Sequence, residues 1–177
     1  IHTHKPHDFF GKAMKFDVIV GNPPYQLSDG GGRDSGAISL YHKFIQQAKK
    51  LNPRFLTMII PARWYSGGKG LDDFRNEMLS DERISEIHDF PETSDCFPGL
   101  NIRGGVCYFL WSKEHKGDCY VANYKKKKLL SAVTRPLRES GAEVFIRHNQ
   151  AISILRKVRY FREATLSENV SPRKPFG

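Results

Sequence analysis

Phe16-Asp17-Val18-Ile19-Val20-Gly21-Asn22-Pro23-Pro24-Tyr25 is an apolar, β-branched run that stops abruptly at a Gly-Asn-Pro-Pro turn. The run has the length and composition of a buried strand, and the break puts Asn22 to Tyr25 at that strand's carboxyl end. Two consecutive prolines hold φ near ~−65° and remove two backbone donors, so the carbonyls of the turn can face a ligand instead of a ladder. Pro23 and Pro24 thereby stiffen an acceptor platform. The Asn22 side-chain oxygen and the Pro23 carbonyl can together accept both hydrogens of an exocyclic amine, and Tyr25 can stack on the ring that carries it. That pattern suits adenine. Accepting both N–H bonds draws the amine toward a tetrahedral nitrogen whose lone pair points at an electrophile, which direct methylation requires when no cysteine nucleophile is used. A proline-rich β-turn without chemistry is the competing reading.

Beyond the polar, glycine-laden stretch from Ser28 to Gly36, Leu40, Phe44, Ile45, Ala48 and Leu51 recur at helical spacing until Asn52-Pro53 stops the pattern. An amphipathic helix with those five residues inward is predicted. Phe55 to Ile60 forms a second buried strand closed by Pro61, and after the loop Gly67-Gly68-Lys69-Gly70 a helix turns Leu71, Phe74, Met78 and Leu79 inward. Arg83 to Phe90 alternates like a half-buried strand and Gly105 to Trp111 like a deeply buried one, with the turn-rich residues 91–104 between two segments that can pair. Past Ser112 the pattern weakens to a strand at Cys119 to Tyr124, a charge run at Lys125 to Lys128 and a short basic helix at Asn149 to Val158. A boundary is expected near residues 112–118, dividing a unit of residues 1–115 from a basic extension of residues 116–177.

Charge supports that division. Residues 1–112 hold 13 Lys+Arg and 13 Asp+Glu, whereas residues 113–177 hold 15 and 6, so the second segment carries the whole formal charge of +9. A basic excess at one end suits a polyanion, because each Lys or Arg that meets a phosphate releases condensed counterions. Lys125 and Lys126 are the candidate phosphate contacts. With 39% hydrophobic and 12% aromatic residues the composition is that of a folded protein. No apolar run approaches the ~20 residues that span a bilayer, and no secretory signal is visible. Cys96, Cys107 and Cys119 contain no CxxC pair and leave one thiol over however they are paired, which argues against a disulfide or zinc framework and fits a cytoplasmic location. His2, His4, His7 and Asp8 could be drawn as metal ligands, but closely spaced terminal histidines are commonly solvated, and no metal is expected. Asp29 and Asp34 are attributed to loop solubility.

The string Phe16 to Tyr25 resembles motif IV of the gamma-type amino methyltransferases, in particular the modification enzymes of the Eco57I-like restriction-modification group. The resemblance continues through Leu40 to Leu51, Ile60-Pro61-Ala62-Arg63-Trp64, Phe74-Arg75-Asn76-Glu77-Met78-Leu79, Cys96-Phe97-Pro98 and Gly104-Gly105-Val106-Cys107-Tyr108-Phe109. It covers roughly residues 15–112, and Lys174-Pro175-Phe176-Gly177 is similar to the start of a target-recognition segment. It implies an α/β fold: part of a Rossmann-like, S-adenosylmethionine-dependent methyltransferase domain, with a mixed, mainly parallel sheet, helices on its faces and a terminal antiparallel hairpin. It further implies that Asn22 and Pro23 hold the amine of a flipped adenine in double-stranded DNA, that Tyr25 stacks on the base and that Phe97 contacts its other side.

The resemblance is incomplete. The family's glycine-bearing loop and following acidic residue, which hold the cofactor S-adenosylmethionine, are not found here and are expected upstream of Ile1. Both termini read as cut, and the fragment alone is expected to turn over little or not at all. The parent is expected to be a site-specific adenine methyltransferase of a restriction-modification system, with a nuclease or specificity domain as a candidate companion in the same chain. Two other functions remain open. The same Asn-Pro-Pro-Tyr turn is similar to that of glutamine-N5 protein methyltransferases, and the basic segment alone would suit a non-catalytic DNA-binding fragment.

Overall fold

The computed structural model describes residues 15–27, 38–68 and 70–163. Six strands form one sheet in the order β1-β4-β6-β5-β7-β8: β1 (Val18–Gly21), β4 (Phe55–Pro61), β5 (Ile84–Phe90), β6 (Val106–Ser112), β7 (Cys119–Lys125) and β8 (Lys128–Arg135). A two-stranded ladder, β2 (Gln26–Leu27) with β3 (Ile38–Ser39), follows the Asn-Pro-Pro-Tyr turn. The helices are α1 (Tyr41–Lys50), α2 (Asp72–Ser80) and α3 (Asn149–Tyr160). Strands β1, β4, β5 and β7 run in one direction, and β6 and β8 run against them. The expected pairing of the segments around 83–90 and 105–111 is present, with β6 inserted between β5 and β4.

One face of the sheet is covered. Leu56, Met58 and Ile60 of β4, Ile84 and Ile87 of β5, and Cys107, Phe109 and Trp111 of β6 pack in one cluster with Tyr41, Ile45 and Ala48 of α1 and Phe74, Met78 and Leu79 of α2. The four residues predicted inward on the second helix, Leu71, Phe74, Met78 and Leu79, are all buried. On α1 the stripe is rotated from the prediction: Tyr41, Ile45 and Ala48 are buried while Phe44 is 42% exposed. The Tyr41 ring meets Phe74 of α2 edge-on at 6.0 Å, which turns the helix toward that neighbour. The opposite face carries the half-buried Thr57, Ile59, Tyr108 and His88. There the His88 and Tyr108 rings stack at 4.4 Å, as do Phe90 and Tyr124 at 4.6 Å, across neighbouring strands.

The strand from Phe16 is not a buried central strand. Among the described residues β1 pairs only with β4, at the sheet edge, and Val18 and Val20 are 52% and 75% exposed. Its apolar composition signals a strand with little preference between its two faces, and composition does not specify which neighbours are present. Residues 119–135, assigned from the sequence to a basic extension, form β7 and β8 of the same sheet, β7 lying parallel to β5. β8 is largely exposed, with Arg135 its one buried residue, so its sequence carries neither an apolar run nor a clean alternation. The helix predicted at Asn149 to Val158 is present as α3. The readings of residues 1–14, Asp29, Asp34, the glycines at 30–32 and the segment Lys174 to Gly177 lie outside the described residues. No described helix is long and apolar enough to cross a membrane.

Two polar nodes hold this arrangement. Asp81, just beyond α2, accepts Lys49 Nζ of α1 at 2.9 Å, Trp111 Nε1 of β6 at 3.0 Å and Arg83 Nε at 2.7 Å. Burial alone would push its carboxyl up, but the hydrogen bonds from Arg83, Lys49 and Trp111 and the charge of Lys49 overcome burial and pull the pKa down from 3.8 to about 2. The second node is Asp89 at the carboxyl end of β5, fully buried and bridged at 2.8 Å by both Nε and Nη2 of Arg147. Arg147 Nη1 also donates to the Gly104 carbonyl at 2.7 Å, and Phe145 N–H donates to the Tyr65 carbonyl at 3.0 Å. Buried Asn149 and Asn123 continue the network to Arg135 and Ser131. Residues 136–149 are thus drawn onto the sheet by hydrogen bonds as well as by Leu137 and Phe145 in the core.

A carboxyl whose folded pKa lies below its unfolded value stabilises the fold above the unfolded value, and that contribution disappears as pH falls through the folded one. The melting temperature is therefore expected to drop between pH 3.8 and about 2 through Asp81. Asp81→Asn should be less stable at neutral pH and flatter across that window, and melting curves that stay parallel there would remove Asp81 as the node. Removing one partner of a buried ion pair strands the other, so Asp89→Ala should cost ~3–5 kcal/mol in urea denaturation. A cost below ~1 kcal/mol, the level of exposed pairs, would show that the pair is not holding residues 136–149 down.

Candidate functional site at the carboxyl edge of the sheet

Because β1, β4, β5 and β7 are co-directional, their carboxyl ends share one edge of the sheet. Four segments meet there: Asn22 to Tyr25 after β1, Ala62 to Tyr65 after β4, residues 91–105 between β5 and β6, and the Lys125 to Lys128 hairpin after β7. In open α/β sheets this is the edge where ligands bind. Gly105 helps to form it. Its φ is +77°, and an added Cβ would lie 2.2 Å from the Phe90 carbonyl oxygen, so only glycine lets residues 91–105 turn back into β6.

At the start of that edge, Asn22 is exposed and Pro23 is buried. The side-chain amide of Asn22 has no protein hydrogen-bond partner among the described residues. Pro24 is exposed, and Tyr25 is half-buried against the core cluster, its carbonyl accepting Leu40 N–H at 3.1 Å. That bond seats the turn on the start of α1. The Tyr25 hydroxyl is buried without a hydrogen-bond partner, and its pKa is raised chiefly by burial. Tyr25 lines a cavity of about 250 Å³ with Tyr41, Pro61, Arg63, Asn101 and Arg103. Asn22 and Pro23 stand beside Tyr25 in the chain but are not among the residues lining that cavity.

A second, larger cavity of about 650 Å³ adjoins the first, sharing Arg63 and Arg103 and adding Tyr65, Phe145 and Arg147. Phe97 is half-buried on the loop after β5, its N–H bonded to the Thr93 carbonyl at 2.7 Å, and it lines neither cavity. Lys125 and Lys126 are exposed at the far end of the same edge, about 19 Å from β1 if four strand spacings of ~4.8 Å separate β1 from β7. Lys126 and Lys127 both have positive φ, 51° and 60°, in a two-residue turn that ordinarily takes Asn-Gly.

The arginines of the two cavities were not singled out from the sequence. Arg63 could have been, since it follows a parallel strand's carboxyl end as Asn22 does. Arg103 and Arg147 carry no local signal, because a loop and a segment 58 residues beyond Asp89 bring them there. The thiols offer no nucleophile. Burial raises Cys96, and it pushes Cys107 and Cys119 up to about 12, so none is a ready thiolate. The glycines at 67, 68 and 70 follow β4 only after the intervening turn Ala62–Tyr65. No described residue is assigned to S-adenosylmethionine.

The protein in a cryo-EM structure of the DrdV–DNA complex shares this fold with a TM-score of 0.51 at 12% identity, over 73% of this chain and 18% of that one. The methyltransferase subunit of a type I restriction-modification system from Streptococcus thermophilus aligns with a TM-score of 0.45 at 15% identity, over 92% of this chain and 34% of that one. In sequence, the chain is 42% identical over 118 residues to an uncharacterized adenine-specific methylase of Mycoplasma pneumoniae. It spans 28% of that relative's length, and the match takes in 66% of this chain. Residues 2–97, which contain the Asn-Pro-Pro-Tyr turn, β4, both α1 and α2, and β5, match the model of the Eco57I restriction-modification methylases. The chain belongs to the Eco57I restriction-modification methylase family.

Proposed function

We propose that this chain carries the base-binding, catalytic part of a DNA adenine-N6 methyltransferase that uses S-adenosylmethionine. The observation that carries the reading is the position of Asn22-Pro23-Pro24-Tyr25 at the carboxyl end of β1, with the Asn22 amide unengaged among the described residues and Tyr25 lining a cavity. Asn22 Oδ1 and the Pro23 carbonyl accept the two N6 hydrogens, so the amine nitrogen gives up conjugation with the ring and presents its lone pair. S-adenosylmethionine, when bound, would supply the methyl and keep the electron pair of the broken S–CH3 bond on sulfur, while N6 would gain the methyl and lose one proton to solvent. The prolines keep both acceptors fixed before the base arrives, so no reorganisation is needed at the moment of reaction.

In duplex DNA the amine is paired, so the reading requires the adenosine to be extruded, at a cost of a few kcal/mol offset by contacts to the free base. Tyr25 is the stacking partner, and its half-buried ring is already held by the core. Phe97 is the aromatic for the opposite face of the base. In the structure it lies outside the cavity that Tyr25 lines, so this role requires the loop of residues 91–105 to close over the bound base. Lys125 and Lys126 contact phosphates. Their hairpin lies on the edge that holds Asn22, and the lysines at 126 and 127 keep a strained turn where Asn-Gly would be relaxed. The raised thiols agree with attack by the base nitrogen itself.

Labelled methyl from S-adenosylmethionine is expected to appear as N6-methyladenine in duplex DNA incubated with the complete protein containing this chain, and Asn22→Ala should reduce it by at least ~10²-fold, the usual loss for one such acceptor or donor. Label on the glutamine of a release-factor peptide, or DNA binding with no transfer to any substrate, would replace this reading by one of its rivals. At the hairpin, Lys126→Asn with Lys127→Gly should raise the melting temperature while lowering the slope of log affinity against log salt by roughly 0.9, because it removes one of the two proposed phosphate contacts. A stabilised variant that binds DNA with an unchanged salt slope would leave the hairpin without a role in binding.

A further inference from the structure

The geometry points to a phosphodiester site between Arg63 and Arg103, holding the strand where it passes from the cavity beside Tyr25 into the larger neighbouring cavity. This inference rests on the nucleic-acid substrate proposed above and assigns two residues that the methylation chemistry does not use.

Three arginines face the larger cavity, and they are not equivalent. Arg147 is spent: Asp89 takes two of its N–H groups and the Gly104 carbonyl a third, so its charge is neutralised inside the protein. Arg63 and Arg103 are exposed, and among the described residues neither has an acidic partner or a hydrogen-bond acceptor for its guanidinium. Cations held at the mouth of a cavity without counter-charges are a site for an anion. A guanidinium presents a planar fork that matches two phosphate oxygens, which an ammonium does not.

The choice of a polymer over a small anion comes from the way the cavities are joined. Arg63 and Arg103 line both cavities, of about 250 Å³ and about 650 Å³, so they stand at the passage from one to the other. The first is lined by the aromatic Tyr25, which follows the proposed acceptors Asn22 and Pro23 in the chain. The second is larger, within the ~300–1,000 Å³ common for bound organic ligands, and has apolar wall from Tyr65 and Phe145 beside its arginines. Two adjacent nucleotides are joined by one phosphate. With one nucleotide in each cavity, that phosphate falls between the two guanidinium groups. Gripping it draws the backbone toward the protein on the side where the base has left the stack, an interaction that positions the strand and carries no sequence information.

The test is DNA affinity across a salt series, measured with the complete protein carrying Arg63→Gln, Arg103→Gln or both. Lys113→Gln serves as control, because Lys113 follows the carboxyl end of β6 at the opposite edge of the sheet. Each Gln variant should lower the slope of log affinity against log salt by about 0.9 and weaken binding by roughly tenfold, while Lys113→Gln changes neither. Arg63→Lys, which keeps charge but loses the fork, should keep the slope and still bind more weakly. Unchanged slopes in the arginine variants, or an equal fall with Lys113→Gln, overturn the site. Methyl transfer separates the two claims. Transfer to adenine with unchanged slopes removes the phosphate site alone, and reduced slopes without transfer to adenine remove the methylation reading and leave the site.

Discussion

The insertion of β6 between β4 and β5 is the constraint on which the other features rest. Running against both neighbours, it brings the amino end of β6 to the edge where β4 and β5 finish. Three strands then share one set of buried side chains, Ile60 beside Cys107, Met58 beside Phe109 and Leu56 beside Trp111, with Ile87 across from Phe109 on the other side. Each pair buries apolar surface that neither strand could bury alone, at about 25 cal/mol per Å² removed from water. The connection is sterically demanding, and Gly105 with its positive φ under the Phe90 carbonyl is what allows it.

Once that edge exists, its polar groups organise around Asp89. A fully buried carboxylate is tolerable only with its lone pairs satisfied, and Arg147 supplies a two-point bridge while reaching the Gly104 carbonyl with its third N–H group. One arginine thus ties the end of β5, the turn before β6 and residues 136–149 together. It also removes its own charge from the adjoining cavity and leaves Arg63 and Arg103 as the cations that face outward. Neutralised and open cations lie within one cavity because a segment far along the chain closes one of its walls.

The proposed chemistry depends on rigidity more than on titration. Neither Asn22 nor the Pro23 carbonyl needs to change protonation state, and burial pushes Tyr25 and the Cys107 thiol toward their neutral forms. An acceptor pair on a proline platform works by being already in place. The cost of that rigidity is low here because the turn hangs from a strand end and is seated on α1 by a single backbone bond from Leu40.

The order of the main strands and helices up to Ser112, the inward residues of α2, the pairing of β5 with β6 and the place of the Asn-Pro-Pro-Tyr turn at a strand's carboxyl end were legible in the chain, whereas the short β2–β3 ladder was not. The legible features depend on periodicity over a few turns, on proline stereochemistry and on side-chain functional groups, which are local properties. Tertiary structure alone decided that β1 lies at an edge among the described residues, that Tyr41 rather than Phe44 faces the core, and that the basic stretch from Cys119 to Arg135 joins the sheet. It also brought Arg63, Arg103 and Arg147 to adjoining cavities. Those outcomes depend on which surfaces meet across tens of residues. Charge, which pointed to a separate basic extension, describes only the exposed side chains, whereas sheet membership follows from backbone hydrogen bonds that every residue except proline can donate.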